Sequence, residues 1–322
     1  KPICMKYCKP QYSKHYIMKK FSLFFLILSL GTSINFISAK NYKITQNANW
    51  IITLNGEAFH KSRMGKFIMG KMNEAPDFNQ KMQGLKNAFG VDLMEIREMY
   101  AFGTGEKDQG TAFLSGGINS KQLEGFASLN DKVDIDKFKS IKTYTLPNGT
   151  LGILSKDSVV VASNKKLLHE SVKYKSGDKK NSLHTFVDSI ENEHKSIVTF
   201  GANLLKVSRL HNSINHEQES ILKKFKNMVI FLYETDEDIR ISSYLQATKS
   251  ETAKHLENIF RSLPSLLALF EGAKQELDEV LKNVEFSVTR DGKTVGITAV
   301  IAHSFFESKL VEELDKKTLI VK

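Results

Sequence analysis

The chain has 322 residues, with 46 Lys and Arg against 36 Asp and Glu and a formal net charge of +10. Six of the basic residues and no acidic residue precede Lys40, so residues 40–322 carry 40 basic and 36 acidic side chains, a net of +4. Such a balance does not indicate a basic surface for nucleic acid or for a membrane. Both cysteines, Cys4 and Cys8, also precede Lys40, and the remaining 283 residues are enough to bury a core without disulfides.

Residues 18–39 have the pattern of an export signal. Lys19 and Lys20 give a positively charged start, Phe21 to Leu30 form an apolar run, and Ala39 is the small residue that a signal peptidase requires. We therefore expect residues 1–17 to be an over-extended reading frame, residues 18–39 to be a signal peptide, and the mature protein to begin at Lys40. The expected location is the periplasm or the exterior of a bacterial cell.

A membrane anchor is the alternative interpretation of the apolar run. The run from Phe21 to Ile37 has only 17 residues and is interrupted by Gly31, Thr32, Ser33 and Asn35, whereas a spanning helix needs about 20 apolar residues. We therefore expect no membrane span after the signal is cleaved.

Residues 40–172 predict one α+β unit. Its opening is a short β-branched run that breaks at Gly56 and is followed by a helical pattern. The predicted strands are Ile51–Leu54, Met99–Phe102, Thr111–Ile118, Ile141–Leu146, Thr150–Leu154 and Ser158–Ala162. Helices are predicted to begin at Ser120 and at Lys165, the second capped by Ser163, because serine can accept the free N–H groups of a first turn.

Residues 183–322 repeat the same order of elements, and residues 173–182, which are polar and unpatterned, form the predicted linker. Leu54 aligns with Phe200, and Phe102 aligns with Phe231. The predicted strands of this second unit are Ile197–Phe200, Met228–Phe231, Ile239–Ala247, Val284–Thr289 and Lys293–Ala302. Asp291-Gly292 between the last two is a strong hairpin signal.

These patterns predict an α+β fold of two tandem similar domains, each a mainly antiparallel sheet covered by helices. Strands joined mostly by hairpins favour antiparallel pairing, and an α/β fold with a parallel sheet is the alternative. The organisation resembles that of signal-bearing bacterial exported proteins with a duplicated α+β domain. The resemblance is one of organisation, and it implies no activity.

One segment resembles a phosphate-binding P-loop. Gly65–Lys71 matches the first seven positions of that motif, but Met72 stands where a Ser or Thr hydroxyl should bind Mg²⁺. Because the segment lies inside a helical pattern, we interpret it as part of an ordinary helix.

Three short motifs follow the order found in penicillin-recognising serine enzymes: Ser163-Asn164-Lys165-Lys166, Ser213-Ile214-Asn215 and Lys293-Thr294-Val295-Gly296. This resemblance implies Ser163 as a nucleophile that Lys166 activates. However, Val295 interrupts the third motif, and helix capping is a sufficient function for Ser163.

Five methionines lie near His60 in the sequence: Met64, Met69, Met72, Met82 and Met94. Thioethers suit Cu(I), so Met69-x-x-Met72 is a possible copper pair. Phe78, Met82, Leu85 and Phe89 recur at helical spacing, which favours the simpler interpretation that the sulfurs fill a core.

The sequence therefore assigns no catalytic residue, no cofactor and no metal site. The predicted function is a non-catalytic exported protein that binds an envelope protein, a peptide or a small ligand, and no nucleic acid. The alternatives are an exported serine hydrolase that uses Ser163 and Lys166, and a structural or adhesion subunit.

Overall fold

The computed structural model describes residues 45, 47–74, 76–106, 109–129, 132–173, 181–190, 196–207, 216–268, 279 and 282–320. The predicted signal peptide, residues 174–180 of the predicted linker, and Ser213 lie outside the described residues.

Twelve strands in this part of the chain form one sheet, and each pair of neighbours is antiparallel. The strands are β1 (Trp50–Asn55), β2 (Glu98–Gly103), β3 (Gly110–Ser115), β4 (Asp134–Phe138), β5 (Ile141–Leu146), β6 (Gly149–Ser155), β7 (Ser158–Ala162), β8 (Val198–Asn203), β9 (Phe225–Glu234), β10 (Asp238–Ala247), β11 (Val284–Asp291) and β12 (Thr294–Ala302). Their order across the sheet is β11-β12-β10-β9-β8-β1-β2-β3-β7-β6-β5-β4.

Ten α-helices lie within the described residues, together with a 3₁₀ turn at Leu93–Glu95. The helices are α1 (Gly56–Lys61), α2 (Arg63–Asn73), α3 (Pro76–Phe89), α4 (Ser120–Ser128), α5 (Lys165–Lys173), α6 (Ser182–Ile190), α7 (Leu204–Val207), α8 (His216–Leu222), α9 (Ser250–Ala268) and α10 (His303–Ile320). Among these helices none is both long and apolar enough to cross a membrane.

The pairing of β1 with β8 divides the sheet into five strands on one side and seven on the other. Ile52 is opposite Phe200 and Leu54 is opposite Val198. The backbone N–H of Asn55 donates to the carbonyl of Ile197 at 2.8 Å, and that of Asn203 donates to the carbonyl of Asn49 at 2.7 Å. All strands of residues 50–162 lie on one side of this pair and all strands of residues 198–302 lie on the other.

The sheet has an apolar core on each face. Ile51 belongs to one buried cluster and Leu54 to another, and their odd separation in β1 places them on opposite faces. Helices α5 and α6 cover the first face with residues such as Leu168 and Phe186. Helices α1, α2 and α10 cover the second face, where Phe59 and Met64 are almost fully buried.

The predicted α+β class with a mainly antiparallel sheet is confirmed, and the parallel-sheet alternative is wrong for the described strands. The sequence assigned separate sheets to its two halves, whereas the described strands form one continuous sheet. The β1–β8 pair accounts for this difference, because it gives each half a partner for a strand edge that would otherwise be open.

Three local expectations need correction. The strand predicted to run to Ile118 ends at Ser115, because Gly116 and Gly117 adopt positive φ angles of 82° and 63°. The cap of α4 is Asn119, whose Oδ1 accepts from the N–H of Gln122 at 3.2 Å, and not Ser120. Strand β4 was not predicted, since four of its five residues are exposed and give no alternating apolar pattern.

Candidate functional site

A candidate site lies beside α1, α2 and α3. Asn55 ends β1 and caps α1, its Oδ1 accepting from the N–H of Ala58 at 2.9 Å. Ser62 then caps α2, its Oγ accepting from the N–H of Gly65 at 2.8 Å. The two caps stop and restart the helix within a few residues, so that α1 and α2 change direction above the second face of the sheet.

Gly65 is required at this change of direction. A Cβ at this position would overlap the carbonyl oxygen of Phe59, so only glycine allows the two helices to approach so closely. This close approach to Phe59 explains why the first residue of the P-loop-like segment is glycine. Gly65–Lys71 lies inside α2, one helix removed from the nearest strand, and does not form a strand-to-helix phosphate loop.

A cavity of about 380 Å³ lies between these helices and the 3₁₀ turn. Met69, Phe78, Met82 and Met94 form its apolar lining. The remaining lining is polar and consists of one imidazole, three side-chain amides, one lysine and two carboxyl groups. The cavity is therefore amphipathic.

An ion pair holds one wall of the cavity. Lys86 Nζ lies 2.7 Å from Asp92 Oδ2, and this contact raises the pKa of Lys86. The other carboxylate oxygen of Asp92 accepts from the N–H of Met94 at 3.0 Å and so starts the 3₁₀ turn. Asp92 thus connects α3 to the turn and fixes the backbone that carries Met94.

His60 is the most unusual polar group of the lining. Its ring packs edge-on against Phe59, with the ring centroids 5.3 Å apart. Its Nε2 atom is buried and makes no hydrogen bond within the described part of the chain. Burial lowers the pKa of His60 from 6.5 to about 4, so the imidazole is neutral at pH 7.

The structure separates the clustered methionines into two groups. Met69, Met82 and Met94 line the cavity together with His60. Met64 belongs to the apolar cluster that contains Leu54 and Phe59, and Met69 and Met72 both pack against that cluster. Of the possible pair Met69-x-x-Met72 only Met69 lines the cavity, and the interpretation of core filling holds for Met64, Met69 and Met72.

The serine motifs are not brought together. Ser163 follows β7 and Lys293 precedes β12, and these strands are seven positions apart in the sheet. At about 4.8 Å per strand this separation is roughly 30 Å. Ser163 Oγ instead exchanges hydrogen bonds with the backbone of Gly110, accepting from its N–H and donating to its carbonyl, each at 3.1 Å. The three motifs therefore cannot form the site that the serine enzymes require.

The expected capping function of Ser163 is also corrected. Asn164 caps α5, with its Oδ1 accepting from the N–H of Leu167 at 3.0 Å. Ser163 joins β7 to β3 one residue earlier, and Lys166 lies exposed on α5.

Sequence reasoning did not find the cavity, although it named several of its side chains. The sequence shows several methionines close to His60, but it does not show which of their sulfurs line the same cavity. In the described part of the chain, no group of three or more His, Cys, Asp or Glu side chains is arranged to hold a metal ion.

No protein-family model matches the chain, and no curated protein matches its sequence. Among solved structures, crystal form IV of TP0453 is similar with a TM-score of 0.46 and 11% identity, over 84% of this chain and 97% of that one. Crystal form III of the same protein gives a TM-score of 0.43 and 11% identity, over 87% of this chain and 95% of that one.

Proposed function

We propose that this chain is an exported, non-catalytic binding protein and that the cavity between α1, α2, α3 and the 3₁₀ turn is its ligand site. The observation that carries the proposal is the lining of this cavity, which combines a thioether and aromatic wall with amides, an ion pair and an unpaired imidazole nitrogen. A volume of about 380 Å³ is within the range of small-molecule sites in proteins.

The combination of apolar and polar side chains in the lining favours ligand binding in this cavity. The apolar wall supplies affinity through burial of the ligand's apolar part, and the few polar groups supply orientation. The ligand that fits is small, with an apolar portion and at least one hydrogen-bonding group. An envelope protein or a peptide would enter through a side chain of that kind.

The test uses anilinonaphthalene sulfonate, a fluorescent probe with an apolar body and one polar group. The native protein is expected to bind one probe molecule saturably. Asn79→Trp places a large side chain in the lining and should abolish the signal, whereas Lys81→Trp, exposed on the same helix, should leave it unchanged. Equal binding by both variants, or no saturable binding by the native protein, would contradict the proposal.

We also infer that the two halves are copies of one unit related by a two-fold axis through the β1–β8 pair. Strands β1, β2, β3, β7 and β6 occupy one half in the same order as β8, β9, β10, β12 and β11 occupy the other. Asn55 and Asn203 both end a strand and cap the following helix, and both donate a backbone hydrogen bond across the junction.

This inference changes the alignment of the first strands. Phe102 is opposite Ile51, and Phe231 is opposite Thr199, so a match of Phe102 with Phe231 requires Ile51 to match Thr199. Leu54 then matches Ala202 and not Phe200, and Asn55 matches Asn203. The sequence alignment of Leu54 with Phe200 was displaced by two residues, which keeps the same face of the strand and so leaves the apolar pattern similar.

Export remains a proposal that rests on residues 18–39. Sequencing of the N-terminus of protein from the native cell should begin at or near Lys40. A structural or adhesion subunit would instead be recognised by concentration-dependent self-association of the purified protein.

A further inference from the structure

We propose that the cavity binds a soft monovalent cation, Cu(I) in the cell, through the thioether sulfurs of Met69, Met82 and Met94 and the Nε2 atom of His60. This inference rests on the proposed function, because it names a ligand for the same cavity.

The four groups come from four consecutive elements. His60 is on α1, Met69 on α2, Met82 on α3 and Met94 on the 3₁₀ turn, and all four line one cavity. A methionine that only fills a core needs no such convergence. Met64, Met72 and Met99 pack in or against an apolar cluster and do not line the cavity, whereas Met69 packs against that cluster and also lines the cavity.

The donor set matches one class of metal. Thioethers are soft, uncharged ligands that favour Cu(I), and imidazole is compatible with copper. Mg²⁺ and Ca²⁺ require several oxygen ligands, and structural Zn²⁺ sites in proteins use thiolates, imidazoles and carboxylates. Among the described residues, no group of three or more His, Cys, Asp or Glu side chains is arranged to hold a metal ion. The cavity therefore favours a soft ion over Mg²⁺, Ca²⁺ or Zn²⁺.

The state of His60 suits it to coordination. Its Nε2 is buried without a hydrogen bond, which is costly for a polar atom unless a partner is bound. The edge contact with Phe59 restricts the orientation of the ring.

The surrounding charges are compatible with a bound cation. Lys86 lines the same cavity, but it forms an ion pair with Asp92 at 2.7 Å. Glu95 is a further carboxyl group of the lining. The two carboxylates and one lysine leave a net negative charge around the four uncharged donors, which favours a monovalent cation.

Ag(I) is the probe for the test, because it shares the ligand preference of Cu(I) without changing oxidation state. Isothermal titration of the full chain with Cys4 and Cys8 replaced by Ser is expected to show one Ag(I) per molecule. The double variant Met69→Leu and Met82→Leu should bind about a hundredfold more weakly or worse.

The matched control is Met72→Leu combined with Met99→Leu, which alters two sulfurs outside the cavity and should leave the affinity unchanged. Leu and Met have similar volumes, so both pairs are expected to fold, and thermal unfolding verifies this. Cu(I) titrated without oxygen against a coloured chelator should follow the same order, and Zn²⁺ should not compete.

The outcomes separate the two proposals. If the native chain binds anilinonaphthalene sulfonate but takes up no Ag(I), or if both methionine pairs behave alike, the metal inference is overturned and the binding cavity stands. If Ag(I) binds through the three methionines while the organic probe does not bind, the metal inference is supported, and the proposal of an organic ligand is overturned.

Discussion

His60 combines burial with the absence of a hydrogen bond at Nε2, and this combination has a consequence for stability. The folded protein resists protonation of this imidazole until about pH 4, whereas the unfolded chain protonates near pH 6.5. Between these values the unfolded state binds more protons, so the free energy of unfolding falls as the pH is lowered.

We expect His60→Phe to flatten part of that decline, because the titrating group is gone and phenylalanine needs no hydrogen bond. Urea unfolding at pH 7, 6, 5 and 4 measures the slope. His255→Phe, on the exposed face of α9, is the comparison and should leave the slope as it is. A slope that His60→Phe does not change would show that other groups determine the pH dependence.

Ser163 and Asn164 are adjacent and have different functions, which permits a second test. Asn164→Ala removes the cap of α5 and should cost about 1 kcal/mol of unfolding free energy. Ser163→Ala removes the side-chain bonds to Gly110 and should cost about 0.5 to 1.5 kcal/mol.

Neither change should alter binding of the probe in the cavity, since both residues contact a different part of the sheet. Ser220→Ala, exposed on α8, is the comparison for unfolding and should be near neutral. Loss of a measurable hydrolysis in Ser163→Ala, with the fold intact, would contradict the non-catalytic proposal.

At the scale of elements, the junction of α1 and α2 depends on one glycine. Gly65→Ala should destabilise the protein by about 3 kcal/mol, because its Cβ would overlap the Phe59 carbonyl and force the helices apart. Gly70→Ala lies in the same helix with no atom near the added Cβ and should stabilise it by about 0.5 to 1 kcal/mol.

Opposite signs for the two glycine variants in thermal unfolding would support this account. The cavity adjoins the junction, so Gly65→Ala should also weaken probe binding while Gly70→Ala should not. Equal effects of the two variants would mean that helix propensity alone, and not the contact with Phe59, determines the result.

Local patterns explain why several elements could be predicted. Asp291-Gly292 marks a hairpin because Gly292 must adopt a positive φ, which the structure has at 54°. The short apolar run of β1 could be predicted as a strand because it is β-branched and is buried on both faces of the sheet, with Ile51 in one cluster and Leu54 in the other. Strand β4 has no apolar pattern in the sequence, because it is an edge strand that lies mostly in solvent.

The candidate site could not be predicted to the same degree. Whether Met69 or Met72 faces the cavity depends on how α2 is rotated above the sheet, and the contact of Gly65 with Phe59 determines that rotation. A cluster of methionines in sequence is compatible with either choice. Tertiary contacts between helices decide it, and they have no short-range signature.

At the scale of the whole molecule, the β1–β8 pair can be tested by cross-linking. Ile52 and Phe200 are directly opposite in this pair, at a position between the backbone hydrogen bonds of Asn55 and Asn203. Ile52→Cys with Phe200→Cys should form a disulfide, in a chain whose Cys4 and Cys8 are replaced by Ser.

Titration of free thiols before and after oxidation gives the result. The comparison is Ile52→Cys with Thr199→Cys, which places the second thiol on the opposite face of the sheet and should leave both thiols free. Cross-linking of the comparison pair and not of the first pair would mean that the register differs by one residue.

The continuous sheet also implies an order of local opening. Strands β1 and β2 are the two innermost strands, while β4 and β11 each have only one neighbour. Backbone amides at the two ends of the sheet should therefore exchange with deuterium first, through fraying, and those of β1 and β2 last. Because α1 follows β1 directly, the cavity adjoins the part of the molecule expected to open least often, and its lining can stay assembled while the outer strands fluctuate.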